Sequence, residues 1–176
     1  MANHGMTTDT GSDDDLLGNP ENIFEFNALP SDGTLDAVHV WCETNFGGNW
    51  RWAIYKGGSA DDPNGATVVF DGGEWAGTTG TWGEVTAGGE TLLATDRLWI
   101  AYKRNDNNMW TRSFVGAEGD YVGNGRNNFG EGDDETVAFS TIAASGTDSV
   151  NVDSVAAYIE YTPAGGGPLI YAFAVG

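Results

Sequence analysis

The sequence predicts an all-β domain, an antiparallel two-sheet jelly-roll sandwich with extended N- and C-terminal arms. Three observations lead there. From Ile23 onward, short apolar runs alternate with clusters of Gly, Asn, Asp and Pro, the texture of strands joined by tight turns. No window long enough for a helix carries the helical apolar period with helix-forming filler. The 27 glycines in 176 residues supply the positive-φ turns that many short strands need. A chain of this length holds one domain with a real core, and with 40% apolar residues it can fold despite its charge.

Residues 1–22 read as an N-terminal arm. They are mostly Thr, Asp, Gly and Asn, with an acidic run at Asp13, Asp14 and Asp15, and only Leu16 and Leu17 could anchor them. The sandwich is expected over residues 23–163, with about nine strands. "NIFEFNAL" opens it, alternating Phe24 and Phe26 with polar partners, and "TLDAVHVWCET" follows the turn "PSDG". "NWRWAIYKGG" and "ATVVFDGG" flank the loop "SADDPNG". "TWGEVTAGG", "DRLWIAYKR", "MWTRSFVG", "ETVAFSTI" and "SVAAYIEYT" complete the set. Residues 164–176 form a Gly-linked apolar C-terminal segment: the chain breaks at "AGGGP" and resumes as "LIYAFAVG". Leu169, Ile170, Tyr171, Phe173 and Val175 need cover. Either they add a strand to their own body or the glycine linker lets them donate one to a neighbouring copy.

In "NWRWAIYKGG" strand alternation puts Trp50, Trp52 and Ile54 on one face and Arg51, Ala53 and Tyr55 on the other. Two adjacent indoles can fill the space between sheets or form an open stacking platform. The density an interior demands favours the core, together with Phe24, Phe26, Val68, Phe70, Leu98, Ile100 and Tyr102. Trp41, Tyr55, Trp75, Trp82, Trp99 and Trp110 cannot all face that interior, so some indoles must lie at an edge or surface. Exposed indoles beside Asn and Asp suit sugar stacking, which makes Trp75, Trp82, Trp110 and Asn107 the candidate carbohydrate-binding residues.

Seven basic residues against 26 acidic ones give a net charge of −19 and a pI near 4.1. Such a field repels nucleic acid phosphates and anionic membranes. An acidic, lysine-poor surface also suits strong salt, where screening removes self-repulsion, or it reflects an ordinary acidic protein. Cys42 is alone, so no intramolecular disulfide or Cys-based metal site is expected. The N-terminus lacks a basic and an apolar region of a signal peptide, and no run reaches membrane-spanning length. His4 and His39 have no nucleophile pattern nearby, and a structural role is expected for His39. "RNDNNMW" and "GEGDDE" offer oxygen donors without the spacing of a calcium loop, and no metal or cofactor is expected.

Residues 51–103 carry Ile54 and Tyr55 at a strand end, a Gly/Pro-rich loop, a strand with Trp82 and Val85, and the run ending in Leu98, Trp99, Ile100 and Ala101. This stretch, about a third of the chain, resembles the jelly-roll modules of phage and archaeal-virus head-decoration and fibre proteins, and is similar to those of bacterial surface adhesins. Beside that resemblance, an acidic body, no signal peptide, no catalytic pattern and two distinctive termini fit a non-enzymatic virion structural protein, a capsid decoration or cement protein or a head or tail appendage, working by protein-protein adhesion. Its partners would be the major capsid protein or other virion subunits and copies of itself. The resemblance carries over no site residues; the expected assembly contacts, Leu16, Leu17, Leu169, Ile170, Tyr171 and Phe173, are the apolar residues of the two terminal arms. Such a protein would be made in a host cytoplasm and reside in the virion. The alternative is a carbohydrate-binding module or adhesin that holds a polysaccharide on exposed Trp.

The charge gives a direct expectation. Raising ionic strength from about 0.01 M to about 1 M shortens the Debye length from about 30 Å to about 3 Å, so the melting temperature of the isolated chain should rise across that range. A melting temperature that is flat or falling would show that self-repulsion does not limit stability.

Overall fold

A computed structural model describes residues 1–7, 14–15, 21–45, 47–104, 109–114, 121, 126–127, 134–142, 148–149 and 154–165. Among them the regular elements are all strands, with no helix. In the first part of the chain lie β1 (Ala2–Gly5), β2 (Asp14–Asp15), β3 (Glu21–Glu25), β4 (Gly33–Cys42) and β5 (Thr44–Asn45). Next come β6 (Trp50–Lys56), β7 (Thr67–Trp75), β8 (Thr81–Thr86), β9 (Thr91–Leu92) and β10 (Leu98–Lys103). The last are β11 (Met109–Trp110), β12 (Arg112–Phe114), β13 (Arg126–Asn127), β14 (Asp148–Ser149), β15 (Ser154–Val155) and β16 (Ala157–Pro163).

Two antiparallel sheets dominate. The first runs β1-β16-β4-β8, with β9 also paired to β4, and the second runs β14-β13-β3-β10-β6-β7. Two small ladders, β11-β5 and β15-β12-β2, accompany them. The period of two fixes which side chains meet. In β4, Leu35, Val38, Val40 and Cys42 are buried while Thr34, His39 and Trp41 are half-buried on the opposite face. A bulge at Asp36 of β4, opposite the step from Glu160 to Tyr161 in β16, leaves Asp36 without a Cα partner and keeps the apolar sets of both strands facing inward.

One apolar core joins the inner faces of both sheets. Leu35, Val38, Val40, Ile159 and Tyr161 from the first meet Phe24, Trp50, Trp52, Ile54, Ile100 and Tyr102 from the second. Trp50 and Trp52 are each 1% exposed, so the adjacent indoles are filling and not a platform. Their rings meet edge to face at 5.2 Å, and Trp52 leans on Tyr102 at 4.9 Å. Trp75 stacks on Trp50 at 5.4 Å and lies so close over Gly83 of β8 that a Cβ there would fall within its ring. Glycine at position 83 is what lets the edge tryptophan close the gap between the sheets.

The second sheet is covered on its back face as well, and this explains why β10 is buried at all six positions where simple alternation would leave half exposed. Phe139 and Ile142 pack there against Ile23, Ala53, Tyr55, Ala66, Trp99 and Ala101. Arg51 and Asp71 pin the covering segment. Their side chains pair at 2.6 Å, Asp71 accepts the Phe139 N–H at 2.9 Å, and Arg51 donates to the Glu135 carbonyl at 3.2 Å. Lys103 lies 4.6 Å over the Phe139 ring.

The structure corrects two sequence readings. "ETVAFSTI" is not a strand: residues 135–142 are a turn and an irregular strap, because their hydrogen bonds go to Asp71, Gly65 and Ala66 in place of a ladder. Val68 packs with the back-face cluster and not with the core, because a bulge between Ile54 and Tyr55 shifts β7 so that Val69 and Phe70 both serve the inner side. At the N-terminus, residues 2–5 pair with β16 as the outermost strand of the first sheet. His4 and Met6 are buried, and Met6 N–H donates to the Ala157 carbonyl at 2.9 Å. Leu16, Leu17, Leu169, Ile170, Tyr171 and Phe173 lie outside the described residues.

Because Trp52 fills the centre of the shared core, Trp52→Ala should lower unfolding free energy by about 3–5 kcal/mol, measured by chemical denaturation. A loss below about 1 kcal/mol would remove Trp52 from the core.

Candidate functional site

The outer face of the first sheet presents the one uncovered group of large rings among the described residues. Alternation sends His39 and Trp41 of β4, Trp82 and Glu84 of β8, and Tyr158, Glu160 and Thr162 of β16 to that side. Register then brings them together. Trp41 is opposite Trp82, and His39 lies between Glu84 on one side and Tyr158 on the other. Directly opposite side chains on one face are within contact distance.

The rings form a continuous row. Trp41 meets Trp82 edge-on at 5.7 Å, and Trp82 meets Tyr158 edge-on at 5.2 Å across the intervening strand. Tyr158 stacks flat on His39 at 4.5 Å with only 7° between planes. All four are half-buried, so each shows part of its ring to solvent while its neighbours hold its orientation. Carboxylates frame the row. Trp41 Nε1 donates to Glu43 at 2.6 Å, His39 Nε2 lies 3.3 Å from Glu160, Glu84 is exposed beside His39, and Asp36 accepts the Thr162 hydroxyl at 2.8 Å. Burial first, then the charges of Glu160 and Glu84, hold the Tyr158 hydroxyl above its ordinary pKa. It is therefore a neutral donor over the whole physiological range.

The other chemical features offer less. Burial, aided by the Glu43 charge, pushes the Cys42 thiol up to about 11, so it stays protonated and inert. A cleft of about 160 Å³ beside Glu25 and Arg97 has its acid already occupied: Glu25 pairs with Arg97 and accepts the Asp61 N–H at 3.2 Å. No cluster of three ligating side chains that could hold a metal occurs among the described residues.

The residues singled out from sequence are distributed over different places. Trp82 belongs to the row. Trp75 projects into the space between the sheets, against the side of β8 opposite to Trp82. The backbone of Trp110 pairs with Thr44 just beyond the end of β4, and Asn107 lies outside the described residues. Sequence reading missed His39, Trp41 and Tyr158 as a unit with Trp82. The signal existed in the alternation of "HVWCE" and "YIEYT", but only register unites strands so far apart in the chain. No protein-family model, no curated protein and no solved structure matches the chain.

Since the charge of Glu160 is one cause of the raised Tyr158 pKa, Glu160→Gln should move that hydroxyl's titration midpoint downward. Difference spectra of parent and Tyr158→Phe chains would isolate its signal. A midpoint that does not move would show that Glu160 exerts no field on the ring row.

Proposed function

We propose that the chain is a non-enzymatic adhesion subunit of a virion, a capsid decoration or cement protein or a head or tail appendage, built as a jelly-roll sandwich. Its contact surface on this reading is the outer face of the first sheet. One observation carries it: among the described residues, 134–142 cover the back of the second sheet, while four half-buried rings stand on the outside of the first without such a strap. A contiguous group of rings that each keep part of their surface in solvent is the kind of surface that marks interaction sites. The resemblance of residues 51–103 to virion jelly rolls supplies the kind of particle.

A second reading has its own support. Carboxylates beside half-exposed indoles, Glu43 beside Trp41 and Glu84 one alternation beyond Trp82, are also what a sugar site uses, the rings stacking on pyranose faces and the oxygens accepting hydroxyls. On this reading the same face holds a polysaccharide.

Co-expression with the products of neighbouring structural genes, followed by sizing, should recover the chain in a larger complex. Trp82→Ala should reduce that recovery about tenfold, the loss of one well-packed aromatic contact, in a chain that circular dichroism shows to be still folded. Recovery indifferent to Trp82 would remove this face from adhesion. A glycan-array signal that Trp82→Ala abolishes would put the polysaccharide reading in its place.

A further inference from the structure

We infer that the ring row on the first sheet recognises a cationic side chain, an arginine of a partner protein, which stacks on Trp82 and Tyr158 and is neutralised by Glu84 and Glu160. This rests on the adhesion reading and specifies its chemistry. The first support is charge segregation. No strand of the first sheet contains a Lys or Arg, while its outer face carries Asp36, Glu84 and Glu160. The described basic side chains lie on the second sheet or at its margin: Arg51 pairs with Asp71, Lys56 with Asp96 and Arg97 with Glu25, and Lys103 and Arg104 are buried. An anionic face of rings whose described residues include no Lys or Arg, with His39 as the ring beside Glu160, is complementary to a cation supplied from outside.

The rings fit that supply. Indole and phenol faces attract a cation through their quadrupole, and a guanidinium can stack on a ring while its fork reaches a carboxylate. Glu84 and Glu160 flank the row from opposite sides, on β8 and β16. Their field is felt at the rings, since both hold up the Tyr158 pKa. The source is a different polypeptide and not a second copy, because two chains of net charge −19 repel one another. The net charge of −19 would speed the approach of a basic partner.

The test is calorimetric titration of the full chain with an N-acetylated, C-amidated peptide of alternating glycine and arginine, and with the same peptide carrying neutral citrulline. At an ionic strength of about 0.15 M the arginine peptide should bind at least about tenfold more tightly than the citrulline one. The Glu84→Gln/Glu160→Gln variant should weaken arginine binding about tenfold. The control Asp61→Asn/Glu74→Gln, two exposed acids away from the row, should leave it unchanged and so exclude a general response to negative charge. Equal binding of the two peptides, or equal weakening by both double variants, overturns the inference. So does binding of cellohexaose that Trp82→Ala abolishes. If arginine binding fails while Trp82→Ala still dissolves the co-expressed complex, the cation inference falls and the adhesion reading stands. If the peptide binds as described but complex recovery ignores Trp82, the adhesion reading falls alone.

Discussion

The two large sheets have four faces, and the described residues cover three of them. The constraint that decides which is the pin between Arg51 and Asp71. Asp71 is bonded at once to the Arg51 guanidinium and to the Phe139 N–H, and Arg51 also holds the Glu135 carbonyl. A half-buried ion pair alone contributes modestly, because desolvation offsets much of the attraction. Here it fixes a strap whose Phe139 and Ile142 bury apolar area against Tyr55, Trp99 and three alanines. The second sheet thereby becomes an interior layer, with Leu98 to Lys103 buried throughout. Among the described residues the first sheet receives no such strap, so its outer face is the one with a surface to offer.

That asymmetry sorts the tryptophans. Trp50 and Trp52 fill the space between sheets, Trp75 closes its edge over Gly83, and Trp99 faces the strap with its indole N–H donated to the Gly57 carbonyl at 2.9 Å. Each of these is explained by packing. Trp41 and Trp82 are explained only in part: they stand on the outer side of their strands, pack against the core with part of their surface and leave the rest to solvent. The four-ring row is held by its own edge and stacking contacts, which lets it stay ordered without a cover.

The strands themselves were legible because alternation is local: "NWRWAIYKGG" declares its two faces without help from the rest of the chain. What could not be read depended on distant partners. "ETVAFSTI" has the composition of a strand, yet Asp71, Gly65 and Ala66 take its hydrogen bonds, and no pattern within those residues announces it. Residues 2–5 have almost no apolar content but supply backbone to β16, and a ladder asks little of side chains at an edge. Val68 went to the wrong face because one bulge inverts the parity of everything beyond it. The site failed for the same reason: Trp82 was visible alone, whereas His39, Trp41 and Tyr158 join it only through pairings between residues about forty to a hundred and twenty positions apart.

The acidic charge and the ring row also bear on each other. At low salt the 26 carboxylates repel one another and attract any basic surface from a distance, so affinity there would be large and poorly selective. As salt rises toward about 1 M, the Debye length falls to about 3 Å and long-range attraction disappears. Contacts at van der Waals distance survive, because a cation lying against a ring face and a carboxylate leaves no room for screening ions between them. Selectivity therefore has to come from the few places where charge and ring adjoin. On this chain Glu84 and Glu160 beside the Trp82, Tyr158 and His39 rings are such a place, whereas acids such as Asp71, Glu25 and Asp96 are engaged by the chain's own Arg51, Arg97 and Lys56.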